Sequence, residues 1–408
     1  MDVAIVDTKN YDYETIVASL REVFRLLDMD EQNPFGELVK PGDKVFIKPN
    51  WVSHCYRKSC SEQHNVYTTI THPSLIRALA FFADKALQGK GLITIGDNPS
   101  IDANFPELMK IQRLEDLHTK LNTKVRILDL RPLVCNDLSY YGQKDKMEVQ
   151  RGDPDGETLI NLGKASMFYG LKPKHFRGVF KDRSECIDSH TGENHLYSFS
   201  NSVYNSDLFI SVPKLKTHHK TGVTLNLKGL VGTIGVKNQL VHWREGFPLI
   251  GGDAYPNFWS WFKDKFSKIK KRGAWSGNDT IWRMVVDLYI GIKQKQRRYF
   301  SVIDGVIGGE GDGPFCPKPR QSQVLIAGNN LLTTDIVATR LMGFWPEKIP
   351  YLNYFIKNGF VSQENITVIS DFIGSSVTEE FFYVCDDRYL RYNPPSGWSN
   401  IVVGDILW

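Results

Sequence analysis

Five segments carry side chains whose types and spacing could do chemistry. The densest runs from Val212 to Gly232 and reads VPKLKTHHKTGVTLNLKGLVG. Lys214, Lys216, His218, His219, Lys220 and Lys228 concentrate positive charge there, and Gly229, Gly232 and Gly235 let backbone approach a ligand. A solvated charge run would not be interleaved with Val223, Leu225, Leu227 and Leu230, so the segment predicts an anion site pinned to a core. Lys214, Lys216 and Lys228 would hold the anion. His218 or His219 would act as general acid or base, because imidazole titrates near neutrality.

The second segment is Lys48-Pro49-Asn50, at the end of an apolar run. Lys48 and Asn50 could hold a carboxylate or phosphate. The third is Thr71-His72-Pro73 at a helix start, where His72 is either a substrate contact or a cap. The fourth is Gly96-Asp97-Asn98-Pro99, with Asp97 as a second acid/base group or simply turn chemistry. The fifth is DGVIGGEGDGP, residues 304–314, whose five glycines surround Asp304, Glu310 and Asp312. It predicts a loop holding a divalent ion such as Mg²⁺ on those carboxylates, or cradling a phosphate on backbone N–H groups. His242 and Arg244 in HWREG, with Asp253 beyond, could complete the substrate site.

These residues need elements to position them. Apolar β-branched runs at 3–6, 44–48, 92–95, 125–128, 208–212, 301–303 and 324–327 predict strands, mostly buried on both faces. Helical patterns at 13–27, 73–87 and 333–342 lie between them. Alternation of this kind predicts an α/β fold: a doubly wound, mostly parallel sheet with helices on both faces and a large insertion or second lobe. Three regions follow. Residues 1–135 form an N-terminal α/β half. Residues 136–300 form a middle region with the anion loop and a basic aromatic insertion. Residues 301–408 complete the sheet. Sites in such sheets lie at the carboxyl ends of the strands, where four of the motifs fall.

Composition narrows the function classes. The 408 residues carry 50 Lys and Arg against 46 Asp and Glu, a net charge of +4 that excludes a nucleic-acid coat. Six cysteines lack C-x-x-C spacing, so there is no intrinsic iron–sulfur motif, and they read as free cytosolic thiols, with Cys55 and Cys60 the only close pair. Neither a dinucleotide nor a P-loop glycine motif occurs, so no nucleotide-binding motif is present. No apolar run is long enough to span a bilayer and no basic leader opens the chain, which predicts a cytoplasmic protein. In residues 258–271 the aromatic residues Phe258, Trp259, Trp261, Phe262 and Phe266 take helical spacing beside lysines. That pattern is more often core, but it also suits peripheral membrane contact.

The ordered motifs IKPNW, THPSLIRAL, VPKLKTHHKTGVTLNLKGLVGTIG, HWREGFPLIGGD, IDGVIGGEGDGP and LLTTDIVATRLMG resemble the domain-of-unknown-function 362 family over nearly the whole chain. The resemblance implies an α/β fold and no settled reaction. Some relatives carry a ferredoxin-type domain, which implies redox chemistry there. The HWREGFPLIGGD version resembles a subgroup encoded beside surface-polysaccharide genes, which implies a role in polysaccharide biosynthesis and an anionic, lipid-linked sugar substrate. The reading that results is a lyase- or isomerase-type enzyme acting on an anionic small molecule by metal-assisted acid/base chemistry. The alternatives are a ferredoxin-dependent oxidoreductase, or a membrane-surface protein handling lipid-linked glycan precursors. The basic surface of residues 258–298 would be the contact for ferredoxin or membrane.

Overall fold

A computed structural model describes residues 1–54, 65–267, 270–296, 298–370, 381–382 and 389–403. Cys55 and Cys60 lie outside them. The chain is an α/β protein built on one mixed, mostly parallel sheet. Its ten strands are β1 (Asp2–Asp7), β2 (Lys44–Pro49), β3 (Leu92–Asp97), β4 (Lys124–Asp129), β5 (Leu208–Val212), β6 (Lys214–His218), β7 (Gly222–Val223), β8 (Tyr299–Glu310), β9 (Lys318–Gly328) and β10 (Thr367–Ser370). The order across the sheet is β10-β1-β9-β8-β5-β2-β3-β4, with β6 attached to β7 and β8. Each strand predicted from an apolar run is present, several of them longer than the run itself.

Alternation along the strands explains the layering. Phe46 and Phe209 join one apolar cluster, while Val45, Ile47, Leu208 and Ile210 join another. Successive side chains point to opposite faces, so these are the two sides of the sheet. Helices α1 (Tyr13–Leu26) and α2 (Pro73–Leu87) cover the Val45 side. The Phe46 side is covered by α3 (Leu225–Gly229), α5 (Ile281–Lys293) and α6 (Leu331–Leu341). A short helix α4 (Phe258–Phe266) stands apart on a small cluster of Phe247, Ala254 and Tyr255.

Two features differ from the sequence reading. First, residues 304–310 are not a loop: β8 continues to Glu310. Its first half pairs with β5, and beyond Pro213 its second half pairs with β6, Lys214 opposite Asp304 and Lys216 opposite Gly309. The glycines there admit close packing rather than a turn. A Cβ on Gly308 would overlap the Tyr392 hydroxyl, and one on Gly309 would sit 2.6 Å from the Thr68 carbonyl oxygen. Second, the cysteines are not all free thiols: Cys135 and Cys186 are free, but Cys316 is disulfide-bonded. Among the described residues no helix is long and apolar enough to cross a membrane.

Candidate functional site

The carboxyl ends of β2 and β3, strand β6 and the segment from Thr224 to Trp243 enclose a cavity of about 660 Å³. Eight cationic side chains line it: Lys48, Lys216, Lys220, Lys228, Lys237, Lys270, Lys271 and Arg272. So do His218, His219 and His242, whereas the only lining carboxylates among the described residues are Asp97 and Asp312. Of the sequence-predicted residues, Lys48, Asn50, Asp97, Lys216, His218, His219, Lys228, His242 and Asp312 meet here.

Asp97 is a counter-ion in this arrangement. Its Oδ1 lies 2.8 Å from Lys48 Nζ and accepts from the Asn98 N–H, and its Oδ2 accepts from the Trp51 N–H at 2.7 Å. The strand-end turns of β2 and β3 are thereby tied together over a buried ion pair. Gly232 closes over that pair; a Cβ there would overlap Asp97 Oδ1 and lie 2.8 Å from Lys48 Nζ. Asn50 uses its N–H on Thr71 Oγ1 and leaves its side-chain amide without a partner among the described residues.

The lysines differ in what compensates them. Lys216 donates to the Thr69 and Pro314 carbonyls at 2.8 and 3.4 Å. Lys237 donates to the carbonyls of Asn98 and Pro99. Lys220 sits over the Trp243 ring, 4.6 Å from its centroid. Lys228, on α3, has neither a hydrogen bond nor an ion pair among the described residues. Burial first, then neighbouring positive charge, lowers their pKa values: Lys220 and Lys237 to about 7, Lys228 to about 8, and Lys216 well below the ordinary lysine range.

The imidazoles are fixed in two different tautomers. His218 Nδ1 accepts from the Lys220 N–H at 3.1 Å, so in the neutral ring Nε2 carries the proton. His219 Nδ1 and His242 Nδ1 face the carbonyls of Gly313 and Leu240 at 2.5 and 2.7 Å and must donate to them, which leaves both Nε2 atoms as acceptors. Burial and then lysine charge hold His219 and His242 near about 3 and push His218 well below its usual value. The site therefore combines one imidazole N–H donor, two imidazole acceptors and a group of crowded lysines whose charged forms are disfavoured.

Five predicted residues do other work. Lys214 and Asp304 form a fully buried ion pair at 2.9 Å. Tyr11 donates to Asp304 at 2.7 Å and accepts from Lys214 at 2.7 Å, and the His72 N–H donates to the other Asp304 oxygen at 2.9 Å. His72 caps α2, its Nδ1 accepting from the Ser74 N–H, and its ring stacks on Tyr11 at 3.8 Å. Arg244 pairs with Asp279 at 2.9 Å. Glu310 accepts from the N–H and the side-chain amide of Asn393 at 2.9 and 2.8 Å. None of these five lines the cavity.

The predicted metal set fails for the same reason. Asp304 is neutralised by Lys214 and Glu310 is held by Asn393. Asp312 accepts from the N–H and hydroxyl of Ser396 and pairs with Lys271 at 3.3 Å. Among the described residues no three His, Cys, Asp or Glu side chains are grouped to hold a metal. Conversely, Lys237 was not among the predicted site residues, and the Lys270–Arg272 turn was read as part of a basic contact surface rather than of the cavity. Lys237 lies two residues beyond Gly235, so extending the glycine-rich segment would have reached it. The turn is brought to the cavity by tertiary packing alone.

The family described as domain of unknown function (DUF362) matches residues 157–340, a stretch holding β5 to β9 and most of the cavity's cations. This supports the family resemblance. The thylakoid-associated protein sll1697 of Synechocystis sp. (strain ATCC 27184 / PCC 6803 / Kazusa) is 21% identical over 349 residues, covering 85% of this chain and 76% of that protein. Two solved structures align more loosely. A protein from Thermotoga maritima is 10% identical with a TM-score of 0.36, over 76% of this chain and 54% of that one. The lactate racemase apoprotein from Thermoanaerobacterium thermosaccharolyticum is 13% identical with a TM-score of 0.33, over 74% and 50%. The chain spans about half the length of these two structures.

Proposed function

We propose that the cavity binds a small molecule carrying two or more negative charges, a dicarboxylate or a phosphorylated acid, and moves a proton on it. One observation carries the reading: among the described residues eight lysine and arginine side chains line a cavity with two carboxylates, and Lys228 has no ion pair there, Asp97 acting on it only at longer range. Crowding of this kind is costly without an anion and favourable with one.

The chemistry follows from the order of charging. A bound anion supplies the missing negative charge and returns Lys220 and Lys228 to their ammonium forms. The anion's charge offsets the lysine field that adds to burial in depressing His219 and His242, and their unprotonated Nε2 atoms face the bound substrate as acceptors. His218 Nε2–H is then a donor for a developing oxyanion, and His219 or His242 is an acceptor for a carbon- or oxygen-bound proton. Proton abstraction beside a carboxylate, followed by elimination or isomerisation, is the reaction class that uses these parts. The carboxylates predicted for a divalent ion are committed elsewhere, so no step is assigned to one.

The test has two arms. Ethane-1,2-disulfonate, a dianion of constant charge, is titrated by calorimetry into the wild type and Lys228→Met. The expected result is binding that weakens with salt and falls at least about tenfold in the variant. A panel of dicarboxylates and phosphorylated hydroxy acids is then incubated with enzyme in D₂O and read by mass. Deuterium uptake that disappears in a His219→Gln/His242→Gln variant with an unchanged melting temperature supports proton transfer. A wild type that binds no disulfonate and exchanges no panel member overturns the proposal.

A further inference from the structure

Helix α4 carries an aromatic ladder that is exposed among the described residues. Asn257 caps the helix, its side chain accepting from the Ser260 N–H at 2.9 Å. The helix is held to the body from one side. Trp261 packs on Phe247, with Lys265 3.9 Å over its ring, and Asp264 accepts from the Tyr255 hydroxyl at 2.6 Å. The outer side presents Trp259, Phe262 and Phe266, with Phe258 at its border, its ring also against Phe247 and Trp261. Trp259 is 68% exposed and Phe266 77%. Their rings touch in sequence, Phe258 to Phe262 and Phe262 to Phe266. Leu249, at 92% exposure, and Ile250 are also exposed, in the turn that follows Phe247.

We propose that this face is a docking surface for an anionic lipid bilayer, with α4 lying in the plane of the interface. Charge complementarity selects that occupant. Lys263, Lys265, Lys270, Lys271 and Arg272 are all exposed around the ladder; the helix's own acid, Asp264, is engaged by Tyr255 and Lys270, and the exposed Asp312 pairs with Lys271. Apolar rings with a lysine fringe match the acyl boundary below and the anionic headgroups above. At nine residues the helix is about 13 Å long, enough to lie in the interface and far too short to span it. A second copy of the chain fits poorly. A two-fold contact through the ladder would set these cations against their own counterparts. The inference does not rest on what the cavity binds.

The test is co-sedimentation of the full chain with vesicles of phosphatidylglycerol and phosphatidylcholine, compared with phosphatidylcholine alone. Wild type is expected to pellet with the anionic vesicles at low salt. Trp259→Ser/Phe266→Ser should lower the partition at least about tenfold, with circular dichroism unchanged because both side chains are exposed. Lys263→Gln/Lys265→Gln should lower it about fivefold per lysine and flatten its salt dependence. Sedimentation equilibrium without lipid is expected to show no association that the serine variant removes. Failure of the wild type to pellet, equal pelleting of the serine variant, or self-association through these residues would each overturn the proposal. Disulfonate titration of the same samples reports on the cavity separately.

Discussion

Because burial and neighbouring charge depress the pKa values of the cavity lysines, binding of an anion must take up protons, and the amount can be worked from the site. Lys237 is tied to two carbonyls, so the lysines free to answer a ligand are Lys220 and Lys228, at about 7 and about 8. At about pH 7.5 roughly three-quarters of Lys220 and one-quarter of Lys228 are neutral, so a dianion that pairs with both takes up about one proton. Raising the pH from about 6.5 to about 9 should weaken binding about eighty-fold through Lys220 and about tenfold through Lys228, if both are fully protonated in the complex. The sign follows from the direction of the shifts. The folded-state values lie below the unfolded one, so the neutral amine accumulates as pH rises through 7 to 8, and recharging it costs affinity. The same linkage acts on the ligand-free fold. Protonation of these lysines favours the unfolded chain at low pH, and that penalty is relieved as pH rises through the folded values towards the unfolded one. The assay is calorimetry with ethane-1,2-disulfonate at about pH 7.5 in buffers of different ionisation enthalpy, followed by a pH series. A proton count near zero with a pH-independent Kd would refute the reasoning, because the lysines would then be fully charged without a ligand.

Two other perturbations separate scaffold from site. Gly232→Ala should abolish disulfonate binding and lower stability, since the added methyl group cannot coexist with the Lys48–Asp97 pair beneath it; calorimetry with a urea melt reads both. Lys214→Met should cost about 3–5 kcal/mol in urea unfolding by leaving Asp304 buried and uncompensated, while the folded fraction keeps its disulfonate affinity.

The strands were legible because buried parallel strands are written as apolar runs, and β5 follows its run from Leu208 to Val212 without a residue to spare. The far half of β8 was hidden by its glycines, which by composition mimic a turn but serve the close approach of Tyr392 and Thr68. The site was legible in kind and not in membership. Lys214 and Lys216 look equivalent two residues apart, yet one faces Asp304 and the other the cavity, and the pairing of β6 with β8 shifts register between them. Arg244 looked available because nothing local reveals Asp279, 35 residues on. The exposed side of α4 could not be told from a core stripe by periodicity, since both show helical spacing; only the missing partner elements distinguish them.

Strand β6 gives the cation cluster a further property. Lys216 and His218 hang from backbone hydrogen-bonded into a sheet, so their charges cannot drift apart as they would on a mobile loop. On the proposed reading such a rigid array would act in saline water as a small anion exchanger, drawing chloride or other monovalent ions. One multivalent solute displaces several of them at once, and the entropy of their release favours the more highly charged guest. The pocket would then sort its guests by valence before shape: a monoacid competes with salt on equal terms, and a di- or trianion does not.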